Sequence, residues 1–245
     1  IDNIDADYVF DCRGKPDTYK DYTILKNPTN SAILGKPLWD MQDMKWSSHI
    51  ATPDGWTFVI PTNEDSPSHD YCVGYCYNNK YSTDGEAEFN FKNTFDIEIK
   101  KYVRYKNYIA NKPIDGRVIL NGNRLFFLEP LESSSTQTYF EWIKMTWDYI
   151  FGSKKDPSDE IKKYIQQTQN FVLWHYKFGS KYDTDFWKYA KTFDIDDDLL
   201  YQYRDHALKS SNYDIIPEGY GGNTKNSLYG QWPPYSFKVW IDGVD

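Results

Sequence analysis

Up to about residue 120 the apolar positions come in short runs broken by polar turns, as strands do. Beyond residue 136 they recur every three or four residues, as helices do. Ala6-Asp7-Tyr8-Val9-Phe10-Asp11-Cys12-Arg13-Gly14 reads as a strand ending in an acidic glycine turn. Residues 15–50 are polar, with turns at Lys15-Pro16-Asp17 and Lys26-Asn27-Pro28, and read as loop. Gly55-Trp56-Thr57-Phe58-Val59-Ile60-Pro61 predicts a strand with Trp56 and Phe58 on one face. A polar hairpin loop from Thr62 to Asp70 leads to the strand Tyr71-Cys72-Val73-Gly74-Tyr75-Cys76-Tyr77. Asp84 to Lys92 opens with acids and reads as a short helix. Phe95 to Ile114 is β-like, and Arg117-Val118-Ile119-Leu120 is a short apolar strand.

That last strand delivers the chain to Asn121-Gly122-Asn123-Arg124-Leu125-Phe126-Phe127-Leu128-Glu129-Pro130-Leu131-Glu132-Ser133-Ser134-Ser135. The stretch begins with a turn, carries two carboxylates around a proline, and ends in serines placed to cap a helix from about Thr136 to Phe151. The 3-4-3 spacing of Phe140, Ile143, Trp147 and Ile150 makes them its apolar face. The first N–H groups of a helix have no partner inside it, so such a start attracts small anions. A carboxylate beside an anion site points to chemistry; the plainer reading is a capped helix with solvated acids. Three more helices follow. Ser158 to Phe178 carries Ile161, Tyr164, Ile165, Phe171, Val172 and His175 at helical spacing, and His175 reads as a core histidine. Asp183 to Thr192 and Asp196 to Ser210 have acidic starts.

Composition narrows the function classes. The 22 Tyr, 14 Phe and 9 Trp suit a flat-ligand pocket, glycan-stacking platforms or an aromatic-rich core. A net charge of −8 argues against a nucleic-acid or anionic-membrane surface, and it makes the basic run Lys100 to Lys106 a solvated strand face. No apolar run approaches the ~20 residues that cross a bilayer. No leader pattern opens the chain, and its start on a strand reads as internal to a fold. Cys12, Cys72 and Cys76 make no disulfide framework and suit a reduced, cytoplasmic setting. Cys72 and Cys76 share a strand face too far apart to bond. With His69 they lack zinc spacing, so no metal site is expected. Asp194, Asp196 and Asp198 alternate like a calcium loop, but Leu199 stands where that loop needs glycine. Gly219 and Gly221 lack a third glycine at Thr224 and follow no strand, so they are no dinucleotide fingerprint.

Taken in order, these segments resemble the flavin-dependent halogenases of the tryptophan-halogenase family. Residues 6–14 resemble that family's strand ending in Asp-Cys-Ser/Thr-Gly. Gly55 to Pro61 resembles its Trp-x-Trp-x-Ile-Pro signature, and Gly74-Tyr75-Cys76-Tyr77-Asn78-Asn79 its Gly-Tyr-Val-Tyr-Ser-Ser strand. Gly122-Asn123 with Glu129-Pro130-Leu131-Glu132-Ser133-Ser134-Ser135 is similar to Gly-Asn-Ala-Ala-Gly-Phe-x-Glu-Pro-Leu-Glu-Ser-Thr-Ser/Gly, the most specific match. His175-Tyr176 with Asp183 to Trp187, and Tyr229-Gly230 through Trp240-Ile241-Asp242-Gly243, resemble the C-terminal segments.

The resemblance implies an α/β protein, α+β within this stretch. It has the FAD fold of flavin monooxygenases, with an antiparallel substrate-side sheet and a C-terminal helical region. Residues 1–14 would be the last strand of an N-terminal FAD module and 15–113 the β-rich substrate side. Residues 114–151 would return to the FAD module, and 152–245 form the helical region. The chemistry implied is halogenation of an electron-rich aromatic ring, of indole or phenol type, by an oxidant made from reduced FAD, oxygen and a halide. A separate flavin reductase would supply the reduced FAD. Glu132 is implied as the catalytic carboxylate, the N–H groups of Ser134 and Ser135 as the halide site, and Gly122, Asn123, Pro130 and Trp56 as flavin contacts. A dinucleotide-binding module of roughly 150–200 residues and a catalytic lysine would precede Ile1.

Departures are equally specific. Phe58 stands at the second signature Trp, and Arg124, Leu125 and Phe126 replace small residues after Gly-Asn. The pattern by which tryptophan-specific members hold the free amino acid is missing between Tyr229 and Trp240, so another aromatic substrate is expected. Composition rich in Asn, Lys and Tyr suits an AT-rich genome such as a phage's. Two alternatives stand beside the halogenase: a flavin monooxygenase of the same fold, motivated by Phe58, and a non-enzymatic glycan-binding module, motivated by the aromatic content. Whether copies associate into a homo-oligomer is left open by the sequence.

Overall fold

The stretch read as loop between residues 15 and 50 contains two strands and the start of a third, one of them in the interior and one at the edge of the largest sheet. The computed structural model describes residues 4–209 together with Leu228, Tyr229, Gln231 and Trp232. Its strands are β1 (Val9–Asp11), β2 (Tyr22–Ile24), β3 (Ser31–Pro37), β4 (Ser48–Thr52), β5 (Gly55–Val59) and β6 (Val73–Tyr77). Helix α1 (Asp84–Thr94) follows, then β7 (Ile97–Arg104), β8 (Tyr108–Ala110), β9 (Ile114–Asp115), β10 (Val118–Leu120) and β11 (Phe126–Phe127). Helices α2 (Ser134–Phe151), α3 (Ser158–Phe178), α4 (Asp185–Ala190) and α5 (Asp198–Lys209) complete the order. Gly219, Gly221, Gly222 and the segment Trp240 to Gly243 lie outside the described residues.

The chain divides into two units: Ile1–Lys26, Lys106–Trp174 and Ile195–Asp245 form one, Asn27–Tyr105 and His175–Asp194 the other. The second unit holds a five-stranded antiparallel sheet in the order β4-β5-β6-β3-β7. This is the antiparallel sheet the sequence led us to expect, but with β3 where loop was read. Ser31-Ala32-Ile33-Leu34-Gly35-Lys36-Pro37 is buried along most of its length, so it shows no polar alternation, and its Gly and Pro look like turn residues. The Gly has its own cause. The register with β7 shifts between Leu34 and Gly35, and a Cβ at Gly35 would meet the Glu98 carbonyl at 3.1 Å. Across β5 and β6, Phe58 opposes Gly74, whose absent side chain leaves room for the Phe58 ring.

Helix α1 is held at its start by a capping box between Thr83 and Glu86 and sets Ala87 and Phe91 among Ile33, Tyr75 and Tyr77. Buried Asp54 ties β6 to this helix, accepting from Tyr75 Oη at 2.6 Å, Ser82 Oγ at 2.6 Å and Asn90 Nδ2 at 2.7 Å. Tyr75 lies in β6, Asn90 in α1 and Ser82 in the turn between them, which makes the group structural. Cys72 and Cys76 are buried free thiols, and burial pushes the Cys72 thiol up. His69 Nδ1 meets Thr62 Oγ1 at 3.0 Å. Among the described residues no three His, Cys, Asp or Glu side chains gather as a metal set. Nor is any helix among them long and apolar enough to cross a membrane.

The first unit carries two three-stranded sheets. In one, β1 runs parallel to β10, which pairs antiparallel with β9; in the other, β8 lies between β11 and β2. Ile119, Leu125, Phe126, Leu128, Trp142, Ile161 and Ile165 form its core. Helix α2 turns over most of the face expected from its spacing, and of its four residues only half-buried Ile150 packs against the core. Phe140, Ile143 and Trp147 are 57%, 47% and 65% exposed, whereas Trp142 is fully buried together with Ser134, Thr138 and Thr146. Thr138 and Thr146 can face the core because each hydroxyl donates to the carbonyl four residues back, at 2.9 Å. A polar pattern on paper is thus an internally satisfied one in the fold. At the start of α5 the acidic run works as a cap, with Asp197 Oδ1 accepting from Leu199 N at 3.1 Å.

Candidate active site

Strand β10 ends at Leu120, and the chain turns at the carboxyl ends of the parallel β1/β10 pair, where ligands of α/β sheets bind. Asn121 N donates to Asp11 O at 3.0 Å, so the turn leaves the sheet where β1 also ends. Gly122 has φ +55°, a conformation that favours glycine, and a Cβ there would meet nothing within 4 Å. The turn is open on that side. Elsewhere it is pinned: Tyr108 Oη donates to Asn123 O at 2.7 Å, Tyr22 Oη to Arg124 O at 2.8 Å and Tyr139 Oη to Asn123 Oδ1 at 2.9 Å. Burial pushes the Tyr139 phenol up to about 12 and those of Tyr22 and Tyr108 upward as well, so all three remain donors at neutral pH.

Asp11 is buried at the end of β1 and is held by two arginines. Arg13 binds it with both Nε (2.9 Å) and Nη2 (2.8 Å), and Arg124 Nε lies 3.3 Å from Oδ2. The side-chain hydrogen bond from Arg13 is the main reason its pKa falls to about 2, against a smaller upward push from burial.

The Glu129–Ser135 stretch follows β11. Glu129 is buried, and its N–H donates to Asn107 Oδ1 at 2.9 Å; Asn107 Nδ2 in turn donates to Lys26 O at 2.9 Å. Past Pro130 the chain makes a tight turn in which Glu132 (φ 60°) and Ser133 (φ 51°) both adopt left-handed backbone. Two consecutive non-glycine residues in that region are rare, and each costs about 1–2 kcal/mol. The turn is braced from both sides. Ser133 N donates to Pro130 O at 3.0 Å, Leu131 is buried, and Ser134 Oγ donates to Leu131 O at 3.3 Å.

One expectation is corrected here. The serines do not cap α2: Ser133 occupies the cap position in left-handed conformation and makes no capping hydrogen bond. The buried Ser134 hydroxyl is turned back onto the preceding turn instead. The helix start therefore keeps its N–H groups clear of side-chain caps and offers them, with the positive end of an 18-residue helix, to an anion.

Glu132 and Pro130 are exposed, Ser135 and Gly122 are half-buried, and Asn123 is exposed, all within the first unit and along one continuous segment. Trp56 belongs to the other unit, where it is buried and donates from Nε1 to Tyr176 Oη at 2.9 Å. Asn107, Tyr22, Tyr108 and Tyr139 hold the site without having been marked in the sequence, since a lone Asn and scattered Tyr give no pattern. The residues at the turn fit a flavin: an open glycine position for close approach and a cation beside it. The uncapped helix start fits a halide.

Comparison with known proteins gives the family and the fold. The family model described as tryptophan halogenase matches residues 28–222. A tryptophan 6-halogenase of Streptomyces albogriseolus is 26% identical over 215 residues, 81% of this chain and 39% of that protein. A tryptophan 7-halogenase of Lentzea aerocolonigenes is 23% identical over 164 residues, 63% of this chain and 30% of that protein. Among solved structures, a flavin-dependent halogenase of Xanthomonas campestris superposes with TM-score 0.72 at 18% identity, covering 98% of this chain and 48% of its own. A tryptophan 6-halogenase of Streptomyces toxytricini gives 0.69 at 21%, covering 97% and 48%. The structures establish the fold. The chain spans 39% and 30% of the length of the curated relatives it matches.

Proposed function

The chain belongs to the tryptophan-halogenase family, and from that premise we propose that it forms the reacting-carboxylate and halide-binding part of an FAD-dependent halogenase. The observation that carries the reading is the left-handed Glu132–Ser133 pair. It leaves an exposed carboxylate next to a helix start without a side-chain cap, at a cost in backbone strain that a merely structural turn has no reason to bear.

The residues divide the work as follows. The N–H groups of Ser134 and Ser135 hold the halide at the positive end of α2. Gly122, Asn123 and Pro130 form the flavin-facing surface, where the missing side chain of Gly122 permits close approach. Trp56 enters this set on the resemblance of its strand alone. Reduced FAD, delivered by a flavin reductase, supplies with oxygen the two-electron oxidation of the halide. Glu132 orients the resulting electrophile toward the substrate and accepts the proton that leaves the ring carbon on substitution. The substrate is an electron-rich aromatic of indole or phenol type. Free tryptophan is not favoured, because the sequence between Tyr229 and Trp240 lacks the pattern for holding its amino and carboxylate groups.

The test is the halide requirement of the full-length protein. With reduced FAD, oxygen and a panel of indoles and phenols, product should form only when bromide, chloride or iodide is present and should carry the halogen. An oxygenated product formed without halide would contradict the reading and favour a monooxygenase.

A further inference from the structure

Arg13 and Arg124 both stand where the family pattern has small residues, and both side chains arrive at Asp11. One carboxylate meets two guanidinium groups. Arg13 alone satisfies it, with Nε on Oδ1 at 2.9 Å, Nη2 on Oδ2 at 2.8 Å and its backbone N–H on Oδ1 at 3.2 Å. Arg124 adds a single contact, Nε to Oδ2 at 3.3 Å, and among the described residues Asp11 is the one acid it reaches. Its terminal nitrogens, with four N–H bonds, are not needed by that carboxylate. Its side chain is 21% exposed, so this charge is largely withdrawn from water.

The three groups sum to +1 in a chain of net −8. Asp17 acts on Arg13 from the loop side and Asp21 lies near Tyr22. The Arg124 backbone is fixed by the Tyr22 hydroxyl on its carbonyl, and the residue follows Gly122 and Asn123 on the same open turn. A rigidly mounted, half-used guanidinium beside an open glycine is a fork for an oxyanion.

We propose that Arg124, oriented by Asp11 and Arg13, binds an oxyanion of the flavin cofactor. This inference rests on the FAD reading above and adds to it a contact specific to this chain. Two parts of FAD carry the required delocalised negative charge: the diphosphate, and the pyrimidine edge of the ring once reduced. Arg13 is a positioning residue, since its donors are spent on Asp11.

The experiment measures binding of FAD and of riboflavin, and the two-electron potential of bound flavin, in the full-length protein and its R124A, R124K and R13A variants. R124A should weaken FAD about tenfold to a hundredfold, the worth of a charge-assisted hydrogen bond, with R124K between it and wild type. Loss of FAD affinity with riboflavin binding unchanged supports the inference with the diphosphate as the ligand. Weakened riboflavin, with a potential lower by about 30 mV for each tenfold selective loss of the reduced form, supports it with the ring edge as the ligand. R124A with wild-type FAD affinity and potential would overturn it. If R124A does not fold, R124K and R124Q carry the same comparison, and wild-type binding in both overturns the inference. A wild-type protein that binds no flavin would remove the FAD reading and this inference with it, whereas flavin binding indifferent to Arg124 removes the inference alone.

Discussion

At Glu132 and Ser133 the backbone has the left-handed form that glycine adopts without cost, yet neither residue is glycine. For Ser133 the reason is not its side chain, which is exposed and makes no capping bond. Ser133→Gly should therefore match or exceed wild-type stability, and Ser133→Val should fall below the glycine variant by about 2 kcal/mol, read from urea denaturation of the full-length protein. Equal stability of the two variants would show that the turn carries no strain. Asp11 gives a second prediction at this scale. Its pKa is lowered in the fold to about 2, against about 3.9 in an unfolded chain, so its stabilisation is fully present above pH 4. It is lost as pH falls from about 4 through 2, and amounts to about 2 kcal/mol. Asp11→Asn should remove that part of the acid dependence of stability while leaving the slope above pH 5 unchanged. Glu132 was legible as a residue because a short motif names it; its backbone strain was not, because nothing in Leu131-Glu132-Ser133 looks like a left-handed pair.

Among the elements, legibility followed pattern strength. Helix α3 came through at its full span because its apolar positions keep one period for 21 residues. Strand β3 did not, because a strand covered on both faces loses its alternation, and Gly35 and Pro37 imitate a turn. Helix α2 was found, but with the wrong face inward: the apolar stripe at Phe140, Ile143 and Trp147 outranked Thr138 and Thr146 in any hydrophobic count. Back-bonded threonines are what that count cannot see. The serines before α2 misled in the opposite way, resembling caps where the fold uses none. In the sheet, Phe58 and Gly74 form one packing unit, and a Cβ at Gly74 would lie 2.2 Å from the Phe58 ring. Gly74→Ala should lower stability by about 1–3 kcal/mol, and combining it with Phe58→Leu should recover part of the loss in thermal unfolding.

For the whole molecule, family membership and fold were readable because the motifs occur in the right order along the chain, each weak by itself. The two units explain why that order mattered more than proximity. The motif residues from Gly122 to Ser135 belong to one unit, while the Trp56 strand belongs to the other and is interleaved with it in sequence. Part of the aromatic excess that first suggested glycan platforms is spent inside the units, on side chains such as Trp142, Trp174, Tyr75, Tyr77 and Tyr176. What the motifs did not convey is the support beneath them. The Asn107 bridge under Glu129 comes from the loop before β8, and the tyrosine hydroxyls of Tyr108 and Tyr22 on the turn come from β8 and β2.

The central claim is that Glu132 acts on the substrate and not on the flavin, and Glu132→Gln tests it most directly because it keeps shape and removes only the charge. In the full-length protein we expect FAD affinity and the rate of reduced-flavin oxidation to stay near wild type while halogenated product falls at least about a hundredfold, the scale of a lost general base. Halogenation by Glu132→Gln at close to the wild-type rate would contradict the account.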